Sequence, residues 1–172
     1  MLATGGVLTD PRALGDAQTG EFDRRFAAVR PKLLAICSGL VGTDAAEDVV
    51  QDSYLRGRSR FAQLRETEAL EAWIVRIAVN LAHTHERRRR GLISRLPSLF
   101  RSQRGPVTPD LGLRELIERL PTRERTVLVL HYAHGYRLEE IGRLLGLSST
   151  NVRTIIFRAR RRIAEQWPEA PT

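Results

Sequence analysis

The chain has 172 residues, and its 28 lysines and arginines outnumber its 20 acidic residues, which gives a net charge of +8 at neutral pH. The length suits one domain or two small ones, and the single cysteine, Cys37, excludes an intrachain disulfide and a cysteine metal cluster. No uncharged run approaches the ~20 residues of a membrane-spanning helix, and residues 1–20 lack the features of a signal peptide. We therefore expect a cytoplasmic protein that does not bind a membrane.

The positive charge is concentrated in the second half of the chain. Residues up to Arg90 carry a net charge of +2, and the remainder carries +6. Such an imbalance indicates a polyanion as the partner of the second half. Lys32 is the only lysine, so nearly all of the positive charge belongs to arginine, whose planar guanidinium suits phosphate and guanine contacts.

Helical periodicity dominates the chain, and no segment has the alternating pattern of a strand, so the sequence predicts an all-α fold. Residues 1–20 contain Gly, Thr, Asp and Pro and are predicted to form a disordered tail. An apolar stripe then runs from Phe22 to Leu40 at helical spacing. Pro31 lies within this stripe and predicts either a kinked helix or two separate helices.

A second helix is predicted in "TDAAEDVVQDSYLRGRSRF", with Asp44 as its N-cap and an acid three residues later, as in a capping box. The apolar face of this helix lies opposite a polar face that is mostly acidic. The polar face consists of Glu47, Asp48, Gln51 and Asp52. It is either a solvated surface or, in a basic protein, a docking surface for a basic or polar partner.

The third helix has a continuous apolar face in the sequence. This face consists of Leu70, Trp73, Ile74, Ile77, Ala78 and Leu81. A second face carries polar side chains at i, i+4, i+8 and i+11. These are Arg76, Asn80, Thr84 and Arg87.

Residues 91–110 contain three prolines, two glycines and no acid before Asp110. This composition predicts a flexible linker. Its apolar residues leave open whether it includes a short helix.

Helical periodicity resumes at Leu113, and "RLEEIGRLLGLSSTNVRTIIFRARRRI" has the pattern of a helix-turn-helix. Gly142 is small where two helices must cross closely, and Gly146 can adopt the left-handed conformation of a tight turn. Ser148 or Ser149 can cap the second helix. A plain helical hairpin is the alternative, but the arginine excess that follows favours DNA binding.

The second helix of this motif combines an apolar stripe with five arginines and has no acid before Glu165. The N-terminal residues of such a helix reach base edges, and flanking residues hold phosphates. The predicted base readers are Asn151, Arg153, Thr154, Phe157 and Arg158. The predicted phosphate contacts are Arg160, Arg161 and Arg162.

Two segments of the chain resemble a known family. "LPTRERTVLVLHYAHGYRLEEIGRLLGLSSTNVRTIIFRARRRI" is similar to region 4 of bacterial RNA polymerase sigma factors of the extracytoplasmic-function (ECF) group, in the sigma-70 family. "AEDVVQDSYLRGRSRF" followed by "AWIVRIAVNLAHTHERRRR" is similar to their region 2. The resemblance implies two small helical domains, at residues 21–90 and 111–167, joined by the linker at 91–110.

The resemblance also implies a function for each domain. The first would grip the beta-prime coiled coil of core RNA polymerase and melt the minus-ten promoter element. The second would dock on the beta flap and read the minus-thirty-five element. Members of the group are commonly held by an anti-sigma factor, so a partner of that kind is expected.

Individual residues follow from the same resemblance. Asp48, Gln51 and Asp52 match the polymerase-contacting helix, and Glu47 shares their face. The polar face of the third helix, from Arg76 to Arg87, matches the surface that meets minus-ten DNA.

Three positions depart from the family pattern. Thr84 stands where an acid is usual, which puts the orientation of a neighbouring arginine in doubt. Gly142 replaces an alanine, a change expected to be sterically harmless. Ile155 replaces a residue that is often polar or basic.

Two other classes of protein are alternatives to this family. An enzyme is disfavoured, because His131 and His134 have no carboxylate or cysteine to complete a metal site, and no nucleophile stands beside a paired base. We therefore expect no catalysis and no cofactor. A stand-alone helix-turn-helix regulator would explain the second half equally well, but it would not need the acidic helix or the "WIVRIAVN" helix.

Overall fold

The computed structural model describes residues 11–64, 70–95 and 112–166, and the predicted all-α fold is confirmed for this part of the chain. Seven α-helices account for most of it. They are α1 (Pro11–Val41), α2 (Thr43–Arg60), α3 (Leu70–Arg95), α4 (Leu113–Arg119), α5 (Thr122–Leu128), α6 (Leu138–Leu145) and α7 (Ser149–Gln166). A 3₁₀ turn, Phe61–Gln63, follows α2, and a π-helical turn, Val129–Ala133, follows α5.

Helix α1 is longer than the sequence predicted. It begins at Pro11, whereas a disordered tail was predicted up to residue 20. Proline is well tolerated in the first turn of a helix, where its missing N–H would have no intrahelical partner. Helix α1 also continues through Pro31 as one element, so the alternative of two separate helices is wrong.

The predicted cap of α2 is also wrong. The N-cap position is Gly42, and no side chain caps the helix. The connection between α1 and α2 is the single residue Gly42, whose φ of 87° is accessible to glycine at little cost. Because the chain reverses within one residue, Asp44 lies inside the first turn of α2 instead of preceding it.

The first three helices pack around a common apolar core. The predicted apolar face of α3 buries Leu70 and Ile74 and half-buries Trp73. Helix α2 approaches this core at Gly57, where a Cβ would lie 2.6 Å from Cδ1 of Ile74 and 2.7 Å from Cζ of Phe22. Gly57 therefore lets α2 lie close to both α1 and α3.

Helix α3 extends beyond the boundary predicted at Arg90. It ends at Arg95, so the first five residues of the predicted linker are helical. Residues 96–110 of that linker lie outside the described residues.

The helix-turn-helix forms at α6 and α7. Gly146 has a φ of 68° and ends α6, and Ser148 caps α7 by accepting a hydrogen bond of 3.2 Å from the N–H of Asn151. A Cβ at Gly142 would lie 2.6 Å from the carbonyl oxygen of Leu147. The close crossing therefore favours glycine at residue 142, in agreement with the expectation that a small residue is needed there and that glycine in place of the usual alanine is sterically harmless.

The two helical units, α1–α3 and α4–α7, pack against each other and share buried residues in one apolar cluster. Helix α1 meets the π-helical turn at Gly39, where a Cβ would lie 2.9 Å from Cγ1 of Val129. Helix α3 contacts both α5 and α6. The sequence predicted each unit but not this packing between them.

Candidate functional site

The predicted reading surface on α7 is exposed. The helix is anchored by Val152, Ile156 and Ala159, all of which are buried. The five predicted base readers point away from this anchor and are exposed; they are Asn151, Arg153, Thr154, Phe157 and Arg158. The ring of Phe157 is unusual among them, since 65 % of this large apolar side chain is exposed.

The arginines toward the end of α7 are partly paired. Arg161 Nε lies 3.1 Å from Glu165, and both side chains are mostly exposed. Arg162 Nε lies 3.2 Å from Glu124 of α5, whose side chain is largely buried. The segment had no acid before Glu165 in the sequence, yet folding supplies Glu124 from another helix. Arg162 is thus held on the protein surface, and Arg160 is the least paired of the three.

The acidic face of α2 is exposed as a group. Glu47 accepts a hydrogen bond of 2.6 Å from Arg30 of α1, and this ion pair neutralises part of the negative charge of the acidic face. Asp48, Gln51 and Asp52 are exposed on the same side of the helix. Within the described residues neither aspartate forms an ion pair. These two carboxylates therefore remain available to a basic partner.

The polar face of α3 is turned toward the second helical unit. Arg76 donates a hydrogen bond of 2.9 Å to the carbonyl oxygen of Arg143 in α6. Asn80 and Arg87 line a cleft of about 470 Å³, whose other side is formed by the start of α5 and the end of α6. Thr84 donates to the carbonyl oxygen of Asn80 within its own helix, at 2.9 Å. The four predicted residues thus share a face, and that face is partly covered.

Glu86 is a residue that the sequence interpretation missed. It is 2 % exposed and accepts hydrogen bonds of 3.0–3.1 Å from Arg89 and Arg90. Its carboxylate also lies 3.5 Å from Nη2 of Arg125 in α5. Burial would raise the pKa of Glu86, but the bonds from Arg89 and Arg90 and the charge of Arg125 outweigh burial and hold the pKa at about 2.

A signal for Glu86 was present in the sequence. An acid three and four residues before two arginines is the spacing of helical ion pairs. The sequence analysis did not use this spacing. The contact with Arg125 joins two segments far apart in the chain and has no local signal.

Two histidines serve as hydrogen-bonding groups within the fold. Thr126 donates its hydroxyl hydrogen to the carbonyl oxygen of Thr122 at 2.8 Å, so His83 Nε2 is the donor in its own 2.8 Å bond to Thr126. His131 Nδ1 lies 2.9 Å from the carbonyl oxygen of Tyr136. Among the described residues no group of three His, Cys, Asp or Glu side chains is placed to hold a metal ion. Over the same residues no helix has both the length and the apolar character needed to cross a membrane.

Two family models match the chain, one in each helical unit. The model of sigma-70 region 2 matches residues 26–91, and the model of sigma-70 region 4 matches residues 111–163. The chain belongs to the sigma-70 family of RNA polymerase sigma factors. Several curated relatives of this sigma factor are named as members of the ECF group, which confirms the resemblance derived from the sequence.

The relatives match with modest identity. A probable RNA polymerase sigma factor, RfaY, from Xanthomonas campestris is 31% identical over 129 residues, which cover 67% of this chain and 32% of the relative. SigV from Bacillus subtilis is 27% identical and covers 67% of this chain and 72% of the relative. The ECF sigma factor SigG from Mycobacterium tuberculosis is 28% identical, covering 92% of this chain and 52% of the relative. The chain therefore spans between about a third and three quarters of these relatives.

Solved structures share the fold. RpoE of Bartonella quintana, in complex with the anti-sigma factor NepR, aligns with a TM-score of 0.67 and 22% identity, covering 88% of this chain and 99% of that one. CnrH, in complex with the cytosolic domain of CnrY, aligns with a TM-score of 0.61 and 22% identity, covering 90% and 94%.

Proposed function

We propose that this sigma factor binds core RNA polymerase and directs promoter-specific initiation, with α2 on polymerase, α3 at the minus-ten element and α7 at the minus-thirty-five element. The observation that carries the proposal is the coexistence of two surfaces of opposite charge. An arginine-rich reading helix is exposed on one unit, and an acidic helix that DNA would repel is exposed on the other. A protein that must join polymerase to a promoter needs both.

The chemistry of α7 supports a role in the major groove. Arg153 and Arg158 offer guanidinium groups that can donate to O6 and N7 of guanine, and Asn151 can pair with adenine. The exposed ring of Phe157 provides an apolar contact for a thymine methyl group. Arg160 and Arg161 lie further along the same helix and would contact phosphates, which fix the register of the helix on the duplex.

The acidic face of α2 supports a role in polymerase binding, through the beta-prime coiled coil. Asp48 and Asp52 are exposed carboxylates without an ion-pair partner among the described residues. Carboxylates placed opposite basic groups steer association and fix its register. The second unit would dock on the beta flap through α4–α7, and the assembled protein would act in the cytoplasm, where the polymerase acts.

The polar face of α3 supports contact with the minus-ten element. Asn80 and Arg87 are exposed side chains that can donate to bases and phosphates. Thr84, by contrast, is half-buried and occupied by a bond within its helix. Extruding a base costs a few kcal/mol, so a surface that melts DNA must offer compensating contacts. The assignment of α3 to the minus-ten element and of α7 to the minus-thirty-five element follows the roles that the family resemblance implies.

Inhibition by a protein partner is a further part of the proposal. The structural relatives RpoE and CnrH were solved with NepR and CnrY. An anti-sigma factor for this chain would have to cover the acidic face of α2 or the reading surface of α7.

The experiment that tests the proposal changes the acidic helix. The double substitution Asp48→Arg and Asp52→Arg places like charges against the basic partner and should abolish binding to core polymerase, because opposed like charges cost several kcal/mol. The fold should survive, since Ala46, Val49 and Val50 are untouched. The measurements are retention of core polymerase by the immobilised sigma factor and helicity by circular dichroism.

A matched control makes the same change in net charge elsewhere. Glu21→Arg on α1 and Glu71→Arg on α3 alter two partly exposed acids outside the helices assigned to polymerase. This control should retain core polymerase. A folded Asp48→Arg/Asp52→Arg variant that still binds polymerase and initiates at the promoter would remove α2 from the interface, and it would favour the stand-alone helix-turn-helix regulator.

A further inference from the structure

We propose that the cleft between α3 and the second helical unit, the basic cleft, binds a small polyphosphate anion such as the phosphate chain of a nucleotide. Its volume of about 470 Å³ lies within the range of ~300–1,000 Å³ that is usual for small-molecule sites. Three helices supply its walls: Asn80, Arg87 and Arg90 lie on α3, Arg123 lies in the first turn of α5, and Leu145 ends α6.

The charge of the basic cleft predicts an anion as its ligand. Its described lining includes three arginines and no acid. Arg87 and Arg123 are exposed, and neither forms an ion pair within the described part of the chain. Guanidinium charges that line one cleft without a counter-charge repel each other. A bound anion would relieve this repulsion.

Arg90 is held in place beside these two arginines. Its Nε donates a hydrogen bond of 3.0 Å to Glu86, whose carboxylate is buried beneath the cleft. A guanidinium has five N–H donors, so the bond to Glu86 leaves the Nη groups of Arg90 available to a ligand. A side chain that is already held loses less conformational freedom on binding. Arg90 is therefore prepared to donate to an anion.

The effect of these charges is felt by His83, which lines the same cleft. Burial, followed by the charges of Arg123 and Arg125, lowers the pKa of His83. The arginines of α5 thus make the potential at this histidine positive. The same potential attracts anions to the cleft.

The spacing of the arginines favours several linked phosphates over one. Arg87 and Arg123 stand on opposite walls, and Arg90 lies one helical turn beyond Arg87. Each guanidinium can pair with a phosphate through two parallel hydrogen bonds, so three guanidinium groups match a chain of phosphates. Asn80 and Leu145 add an amide and an apolar contact, which suit the remainder of a nucleotide.

The first test is isothermal titration calorimetry of the full chain at constant ionic strength. The probes are tripolyphosphate, ATP, adenosine and inorganic phosphate, without divalent cations, which would neutralise the phosphates. We expect saturable binding of one tripolyphosphate per chain, binding of inorganic phosphate that is at least about ten-fold weaker, and none of adenosine. Equal affinities for ATP and tripolyphosphate would assign recognition to the phosphate chain alone, and tighter binding of ATP would add a contact with the nucleoside.

The second test removes one arginine from the cleft. Arg123→Gln should weaken tripolyphosphate binding by about ten-fold or more, because a hydrogen bond to a charged group is lost. The matched control is Arg56→Gln, which removes the same charge from an exposed position of α2 that lies outside the cleft. The control should bind tripolyphosphate as the unaltered chain does. Circular dichroism checks that both variants are folded.

Three results would overturn the proposal. The first is absence of saturable binding of tripolyphosphate up to about 1 mM. The second is an equal loss in Arg123→Gln and Arg56→Gln, which would show attraction by the net charge of the chain. The third is binding of a single-stranded oligonucleotide that depends on Arg123 while tripolyphosphate does not compete, which would make the cleft part of a DNA surface.

These outcomes are separate from the proposed function. Asn80 and Arg87 also belong to the face proposed for the minus-ten element, but Arg123 is not among the residues assigned to polymerase or to DNA. Neither test uses polymerase or a promoter. A cleft that binds no polyphosphate would therefore leave the sigma function standing, and failure to bind core polymerase would leave the anion site standing.

Discussion

Gly142 shows how a single residue sets the distance between a helix and the turn that follows it. Alanine at this position would place its Cβ 2.6 Å from the carbonyl oxygen of Leu147, which belongs to the turn itself. We expect Gly142→Ala to destabilise the protein by about 1–3 kcal/mol, because the turn must shift to admit the methyl group. Thermal unfolding followed by circular dichroism measures the change.

The control for this substitution is Gly20→Ala in α1. Nothing lies within 4 Å of a Cβ at residue 20. Alanine has the higher helix propensity, so this change should be neutral or stabilising by up to ~1 kcal/mol. Equal melting temperatures for Gly142→Ala and the unaltered chain would show that the turn can shift to admit the methyl group without loss of stability.

Arg158 and Arg161 lie on one helix but should differ in their contribution to DNA binding. Arg158 is an exposed base reader, so Arg158→Ala should weaken promoter binding by ~1–3 kcal/mol and relax the base preference. Binding to the promoter and to scrambled duplexes, measured by fluorescence anisotropy, provides the comparison. An equal loss on both duplexes would reassign Arg158 to a phosphate contact.

Arg161→Ala should lower affinity evenly across sequences and reduce the slope of log affinity against log salt by about one unit. Because Arg161 is paired with Glu165 at 3.1 Å, Glu165→Gln offers an opposite change. It should raise affinity at low salt by freeing the guanidinium for phosphate. A salt titration in which neither slope changes would place both side chains outside the interface.

At the scale of the helices, the contact between α3 and α5 predicts a response to pH. Burial, followed by the charges of Arg123 and Arg125, lowers the pKa of His83 below its ordinary value of 6.5. Arg87 and Arg90 of α3 face the same cleft, and Leu145 is its neighbour from α6. The separated units therefore bind a proton at His83 more readily, so a fall in pH favours opening.

The expected result is a larger radius of gyration as the pH falls from about 8 to about 6. Glu86 does not contribute in this window, because its pKa of about 2 leaves it ionised throughout. The pKa of His134 is also lowered, by burial and by Lys32, so His83→Gln is the necessary control. Expansion that persists in His83→Gln would assign the response to another group.

The sequence correctly predicted the helices whose apolar periodicity was strong. It did not predict helix boundaries that depend on contacts with other parts of the chain. The apolar faces of α3 and α7 follow from spacing alone, because every turn repeats the same side-chain requirement. The start of α2 was misplaced, since Asp44 satisfies a capping pattern that the one-residue connection at Gly42 does not use. The pairing of Arg162 with Glu124 joins residues of two helices and could not be inferred from either helix.

At the scale of the whole molecule, the family and the two helical units could be predicted, but their mutual packing could not. Periodicity predicts which face of a helix is buried, but it does not predict which other element packs against that face. The polar face of α3 was assigned to DNA because it matches the surface that meets minus-ten DNA in the family that the sequence resembles. The structure instead turns part of that face toward α5 and α6. The same donors can serve both partners at different times.

Lys32, the only lysine side chain of the chain, lies at the junction of the two units. Its Nζ donates to Glu71 of α3 at 2.6 Å and lies 4.7 Å from the centre of the Tyr136 ring in the second unit. Burial opposes protonation, but the hydrogen bond to Glu71 and the electrostatic interactions with Glu71 and Tyr136 outweigh burial and raise the pKa of Lys32. Acylating reagents attack only the unprotonated amine, so the native chain carries a built-in chemical probe whose labelling should quicken when the units part.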